Sequence, residues 1–374
     1  MVRVLHVANG RLFGGIERML ETLSEPASAG FGLTHEFAIC APGRLADSLR
    51  ANGAAASLLG DVRLSAPSSV WRARAALRTT IERTVPDVVI CHAPWAYALF
   101  ARVGRRAGVP VVWWQHDRAS GESLIERWAR ATPADLVISN SRWTARSAHA
   151  IQPAAPVAVV HCPVTVPASR GSSERIACRR SLGADAGHVV ILAASRLEPW
   201  KGHIQLLRAV ARLAGDPSWT LWIAGGAQRA HEHVYRAELE REVARLRLEG
   251  RVQFLGERRD VPALMAAADL LCQANERPEP FGLVFAEALL SGLPVITPAM
   301  GGALEIVDDT CGGLYDPMDL DGMTTALGTL LNDAALRSQL GAAGPAHAGA
   351  RVAPGVVLPN LERLLAECRS QVAA

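Results

Sequence analysis

The chain has 374 residues, 49% hydrophobic and 20% charged, with a formal net charge of +3. That is more chain than one hydrophobic core comfortably supports, so two globular domains are expected, and the charge is too small to indicate a nucleic-acid binder. Seven cysteines stand far apart with no CxxC pair and an odd total, which argues against a disulfide framework and a zinc site and suits a reducing cytoplasm.

In chain order, "MVRVLHVANG" has one basic residue, a short apolar alternation and an Asn-Gly turn. It lacks the long apolar run and cleavage site of a signal peptide and reads as a first buried strand. "HEFAICA", "DVVICHA", "VPVVWWQH", "DLVISNS" and "VAVVHCPV" continue as buried strands, with helical patterns between them such as 16–23 and 70–84. From residue 188 the rhythm repeats in "HVVILAASR", "TLWIAGG", "RVQFLG", "LLCQAN", "PVITPA" and "GGLYD". Near-continuous apolar strands alternating with helices imply parallel sheets covered on both faces, hence an α/β chain of two Rossmann-like domains. The expected boundaries are 1–167, a linker at 168–187 in which a short helical segment follows the Pro/Gly/Ser-rich piece, 188–345, and a C-terminal tail and helix at 346–374. The stretch 342–359 is rich in Ala, Gly and Pro, after which "LERLLAECRS" resumes helical spacing. No run of about 18 apolar residues occurs, so no membrane span is expected.

Ligands of open α/β sheets sit beyond the carboxyl ends of the strands. After the first strand, Gly14 and Gly15 precede a helix, allowing a close approach to a ligand or simply a tight turn. The GxGxxG spacing is absent, so nicotinamide binding is not supported. After "VILAA", Arg196 and Lys201 share one loop, a fork and a point charge suited to a phosphate pair or to a solvated surface. In "EPFGLVFAE", Glu279 and Glu287 stand eight apart. If the run were wholly helical they would be ~12 Å apart, too far for one metal or a close acid/base pair. Pro280 suits a first helical turn, so a helix is expected over 281–290 with the amides of Gly282, Leu283 and Val284 at its open end. A diphosphate on those amides, with a sugar at Glu279 and a ribose at Glu287, would explain both carboxylates.

These residues resemble a known family. "EPFGLVFAE" looks like the E-x7-E motif of glycosyltransferase family 4, retaining enzymes of the GT-B fold with two facing Rossmann-like domains and a cleft between them. "SRLEPWKG", "RVQFLG", "GGIER", "GGLYDP" and "EALLSGLPVITPAMGGALEIV" extend the resemblance through most of the chain. It implies that Arg196 and Lys201 hold the donor diphosphate, that Glu279 meets the transferred sugar, and that Phe281, Gly282, Leu283 and Val284 follow sugar and phosphates. Glu287 would take the ribose, segment 256–261 with Arg258 would border the base, and Gly15 with Gly14 would lie at the diphosphate across the cleft. His116, in "WWQHDR", matches the family's reaction-centre histidine, and Gly225 and Glu305 complete the candidates. Trp200 stands where similar proteins often carry an acidic residue.

The one DxD triplet, "DLD" at 319–321, is expected to cap a helix rather than hold a metal. A metal-independent, retaining transfer from a nucleotide-diphosphate sugar to an acceptor hydroxyl is therefore expected, with no cofactor. A nucleotide-sugar epimerase of the same architecture is the alternative. The Arg-rich "WRARAALRTTIERTV" and "ARVGRR" read either as solvated helix faces or as a surface drawn to an anionic acceptor or membrane, which leaves peripheral contact with the inner membrane face open.

Overall fold

A computed structural model describes residues 1–166, 171–184, 187–213, 215 and 218–373. The chain divides into two units, Met1–Val164 with Val352–Ala374, and Thr165–Arg351.

The first unit is built on β1 (Val2–Ala8), β2 (Leu33–Ile39), β3 (Ala56–Leu58), β4 (Val88–His92), β5 (Val111–Gln115), β6 (Leu136–Ser139) and β7 (Val157–Val159). They lie in the order β3-β2-β1-β4-β5-β6-β7, every pair parallel. All five residues of "VVICH" in β4 and of "VVWWQ" in β5 are buried, as a strand covered on both faces demands. One core gathers Leu5, Val89, Phe100, Trp113 and Val137 beneath the helices Pro67–Thr84 and Ala93–Arg106.

The second unit carries β8 (Val189–Ala194), β9 (Trp219–Ala224), β10 (Val252–Gly256), β11 (Leu270–Cys272), β12 (Val295–Pro298) and β13 (Gly312–Tyr315). Its order is β10-β9-β8-β11-β12-β13, again all parallel. Both sheets start at an inner strand, wind to one edge and return to the other, which is the Rossmann-like pattern.

Three expectations need correction. The short helical piece that the sequence suggests within the expected linker is the helix Ser172–Ser181, and it belongs to the second unit and not to a linker. Arg175 donates to the Ala266 and Ala268 carbonyls (2.7 and 2.8 Å) and to Asp269, where Arg179 also bonds. Residues 168–170, 185 and 186 of the expected linker lie outside the described residues.

The Ala/Gly/Pro-rich stretch 342–359 is helical, lying in Ala334–Val352 and Pro354–Ala373. Alanine is the best helix former, and the glycines there serve packing. A Cβ on Gly341 would stand 2.4 Å from the Gly292 carbonyl oxygen, and one on Gly344 would stand 2.7 Å from that of Leu289. The final helix joins the first unit, where Arg369 reaches Asp87 at 3.5 Å.

The helix expected over 281–290 begins at Leu283. Gly282, the residue before the first helical turn, adopts φ 96, a left-handed conformation. Half of the spacing between Glu279 and Glu287 is thus loop, and the ~12 Å helical span does not apply.

Candidate functional site

In the first unit the strand order reverses between β1 and β4, so the carboxyl ends of these strands and of β5 form the natural ligand edge. The helix Gly15–Ser24 follows β1, and the Gly14 amide donates to Glu17 Oε2 at 3.0 Å. The "GGIE" run is therefore a capped helix start, with Gly15 as its first residue. His116 lies just beyond β5 on a braced loop. Asn140 Nδ2 donates to the His116 carbonyl (3.2 Å), and Gln115 Nε2 donates to the Asp117 carbonyl (3.0 Å) and to Ser147 Oγ (2.9 Å). The His116 ring stacks on Trp114 at 5.8 Å and 12°, and its Nε2 is 2.9 Å from His92 Nδ1. Burial pushes the His116 pKa down to about 3, so the ring is neutral near pH 7.

In the second unit the order reverses between β8 and β11. The loop after β8 carries Arg196 and Lys201, and the loop after β11 carries Gln273, Asn275 and Glu279. Gln273 Nε2 donates to Ser195 Oγ at 3.1 Å and Asn275 Nδ2 donates to Glu279 Oε2 at 2.8 Å. Lys201 Nζ donates to the same carboxylate oxygen at 2.6 Å. Arg196 is turned elsewhere, with Nη1 2.8 Å from Glu198 Oε1 and 3.6 Å from the fully buried Glu232. Trp200 packs inside this cluster. Its indole donates to Glu198 Oε2 at 2.6 Å, and its ring lies 3.9 Å from Lys201 Nζ. The structure thus brings Lys201 and Glu279 together and holds Arg196 by acidic partners of its own.

Two glycines join these loops. Gly202, at φ 69, would drive a Cβ to 1.7 Å from the Ala274 carbonyl oxygen, and Gly225 would drive one to 1.8 Å from that of Ser195. The segment leading to Glu287 is fixed from the other side, where the Gly302 amide donates to the Glu279 carbonyl at 2.7 Å. The first-turn amides of the helix Leu283–Leu290 follow directly, and among the described residues Gly282, Leu283 and Val284 make no backbone hydrogen bond through their N–H groups. Such a terminus favours an anion. Glu287 is half-buried on this helix and Glu305 half-buried on the short helix Ala303–Ile306. Arg258 is forked onto Asp260 at 2.6 and 2.8 Å.

Sequence reading missed Gln273, Asn275, Glu198 and Glu232 in the second unit, and His6, His35 and His92 in the first. For all but Glu232, which lies in the first turn of the helix Ala230–Arg245, the only signal was a polar residue inside or shortly after an apolar strand. Asp319 of the "DLD" triplet caps a helix, accepting from the Asp321 and Gly322 amides at 3.0 and 2.9 Å. Among the described residues, two other clusters bring three potential ligand atoms within 4.8 Å of one another: Asp308, Cys311 and His347, and Glu198, His231 and Glu232. In the second, Glu232 already accepts from the Gln228 and Arg229 amides and faces Arg196.

A family model described as Glycosyltransferase Family 4 matches residues 13–166, and one described as Glycosyl transferases group 1 matches residues 174–347. A GDP-mannose-dependent alpha-(1-6)-phosphatidylinositol monomannoside mannosyltransferase of Mycolicibacterium smegmatis is 32% identical over 269 residues, 66% of this chain and 68% of that protein. The chain belongs to glycosyltransferase family 4. This family 4 glycosyltransferase is also 34% identical, over 183 residues and 46% of each chain, to a GDP-mannose-dependent monoacylated alpha-(1-6)-phosphatidylinositol monomannoside mannosyltransferase of Corynebacterium glutamicum. Among solved structures it is similar to Anabaena Alr3699/HepE in complex with UDP and glucose, with a TM-score of 0.87 and 27% identity over 98% of this chain and 100% of that one. Its two Rossmann-like units are those of the GT-B fold.

Proposed function

We propose that this glycosyltransferase moves a sugar from a nucleoside diphosphate sugar to an acceptor hydroxyl, with retention at the anomeric carbon and without a divalent ion. The observation that carries the reading is the junction of Lys201, Glu279 and Asn275 with the amide end at Gly282, Leu283 and Val284 in the second unit. An ammonium and a helix N-terminus together suit a departing diphosphate, and stabilising charge as it develops is commonly the largest catalytic term. Glu279 meets the transferred sugar and Glu287 the ribose. Arg196, steered by Glu198 and Glu232, is a second cation for the phosphates, and His116 and Gly15 contribute from the first unit.

Retention follows here by same-face attack, with the leaving phosphate accepting the acceptor's proton. Glu279 is ill suited to act as a covalent nucleophile, because Lys201 and Asn275 both engage its Oε2. No observation favours the epimerase alternative. The acceptor we propose is lipid-linked. The first unit exposes Trp71, Leu124 and Trp128 beside Arg72, Arg127 and Arg130, and similar proteins are named for phosphatidylinositol-based acceptors.

The experiment is thermal stability of the purified chain with GDP-mannose, UDP-glucose and their nucleoside diphosphates, in EDTA. A donor at ~100 times its dissociation constant adds ~2.7 kcal/mol. Selective stabilisation by one nucleoside family, lost in Lys201→Ala, is the expected result. No stabilisation without a divalent ion but clear stabilisation with one overturns the metal-free reading, and an inverted product anomer by NMR overturns retention.

A further inference from the structure

Four histidines of the first unit form a continuous chain of imidazoles. Nε2 of His116 lies 2.9 Å from Nδ1 of His92, Nε2 of His92 lies 2.9 Å from Nδ1 of His6, and Nε2 of His6 lies 2.9 Å from Nδ1 of His35. Parallel register produces the line. His6 is paired with Phe37 and Ile90, so His35 sits two residues earlier on β2 and His92 two residues later on β4. His92 is paired with Trp114, and His116 follows two residues later beyond β5. Side chains two apart on a strand share a face, so the four rings climb one face diagonally toward the carboxyl edge. Aromatic neighbours hold them in that line: His6 stacks on Phe37 at 5.4 Å, and His92 on Trp114 at 5.5 Å. Ala93, directly after His92, has φ 67, a conformation unfavourable for a residue other than glycine.

Every link joins an Nε2 to an Nδ1, so the tautomers are coupled. A neutral imidazole has one N–H and one acceptor nitrogen. Four neutral rings have four N–H groups for three links, and the fourth must emerge at one end. Either His35 Nε2 carries it and His116 Nδ1 is an acceptor, or every ring is protonated at Nδ1 and His116 points an N–H outward. His35 Nε2 is buried and has no hydrogen-bond partner among the described residues. An orphaned buried N–H is the rarer and costlier of the two defects.

We infer that His92, His6 and His35 are positioning residues that lock His116 in its Nδ1–H tautomer, so that His116 offers a hydrogen-bond donor, not a base, to the sugar oxygen it meets. This rests on the proposed placement of His116 at the reacting sugar. Burial keeps all four rings neutral: the His116 pKa is held down to about 3, that of His35 to about 4, and those of His6 and His92 well below the ordinary value. The tautomer imposed is the one free histidine disfavours, so an isolated, uncoupled ring would show the opposite signature.

The test is a two-bond 1H–15N imidazole spectrum of the full chain labelled at histidine, near neutral pH and without ligands, assigned by single substitutions. The expected result is Nδ1 protonated and Nε2 bare in His6, His35, His92 and His116 alike. His116 protonated at Nε2 overturns the inference. The H35E variant then offers a carboxylate to His6 Nε2. Where His6 turns to Nε2–H, His116 must follow it across two intervening links, and in the H6F/H35E double variant His116 must be indifferent to position 35. His6 turning while His116 stays also overturns the coupling. If H35E fails to fold, the wild-type spectrum alone decides. No substrate is involved, so the two readings fail separately: an inactive protein with the predicted tautomers would count only against the transfer reading.

Discussion

Lys201 and Glu279, 78 residues apart in sequence, meet in an ion pair of 2.6 Å with side chains only 11% and 16% exposed. Two strand-end loops are tied by this contact, and Asn275 shares the carboxylate. Removing one partner of such a pair leaves the other charge poorly solvated, at a cost of roughly 3 kcal/mol before allowing for the residual exposure. Lys201→Ala should lower the thermal midpoint of the second unit more than the Lys201→Ala/Glu279→Ala double variant does, because the double variant strands no carboxylate. Under the proposed function Lys201→Ala also loses on the order of 10²-fold in kcat through lost stabilisation of the leaving phosphate. A single variant as stable and as active as the wild type would remove both roles.

Gly202 and Gly225 make a second prediction about the same loops. An alanine Cβ at either position would sit within 2 Å of a backbone carbonyl oxygen, 1.7 Å at Gly202 and 1.8 Å at Gly225. Backbone cannot yield as a side chain can, so Gly202→Ala and Gly225→Ala should each destabilise the second unit by about 2 kcal/mol or more. Gly202 adds the strain of its positive φ. Gly187 has nothing within 4 Å of its would-be Cβ, so Gly187→Ala is the control and should unfold with the wild type in a urea titration. Equal midpoints for all three variants would mean that the loops are not pinned as described.

How much of this was legible beforehand depends on the range of the interactions involved. The strands were readable because "VVICH" and "VVWWQ" are apolar throughout, as burial on both faces requires, and Arg196, Lys201 and Glu279 stood out as charges directly after such strands. The helix start at Leu283 was misplaced because Pro280 is an ordinary first-turn residue, while the left-handed turn belongs to Gly282. The Ala/Gly/Pro-rich stretch was misread because glycine usually breaks a helix, whereas Gly341 and Gly344 pack against the backbone of residues 289–292. The histidine chain was beyond sequence reading altogether. Each member is a single polar residue in or beside an apolar run, and only the register of four strands reveals that they touch.

The buried histidines predict an acid sensitivity with a definite sign. His116 and His203 are held down to about 3 and His35 to about 4, mainly by desolvation, while His6 and His92 lie well below the usual value. An unfolded chain protonates these rings near pH 6.5, whereas the native one keeps them neutral, so the unfolded state binds more protons and stability rises with pH. As pH falls below 6.5, each ring should cost up to about 1.4 kcal/mol per pH unit until its own folded-state pKa is reached. The strongly shifted carboxylate Glu242 does not confound this window. Glu242, held to about 2 by Arg245 and Arg208, has its stabilising effect intact above pH 4.5 and loses it only between there and 2. Urea midpoints measured at pH 7, 6 and 5 should therefore fall steadily, and a flat profile would show that the imidazoles are not buried neutral.

The last prediction concerns the exposed apolar residues of the first unit. Trp71 is 72% exposed and Leu124 76%, with Leu64 and Trp128 beside them along one groove. Arg72 is exposed on the helix Pro67–Thr84 and Arg127 and Arg130 on the helix Leu124–Arg130, and Arg74 places its guanidinium 5.4 Å from the Trp128 ring. Among the described residues no helix is long and apolar enough to cross a membrane. Apolar side chains flanked by arginines suit an anionic lipid surface, where rings enter the interface and the cations meet headgroups. Vesicles containing phosphatidylinositol should therefore co-sediment with the protein at low salt. Binding should weaken as salt rises, because the cationic share is screened, and a salt-resistant remainder should vanish in Trp71→Ser/Leu124→Ser. These substitutions lie on exposed positions and should change stability by no more than about 0.5 kcal/mol, so a loss of sedimentation with an unchanged thermal midpoint isolates the surface effect. Equal sedimentation by wild type and double variant would place lipid contact elsewhere, and none by either would leave a water-soluble acceptor as the better substrate class.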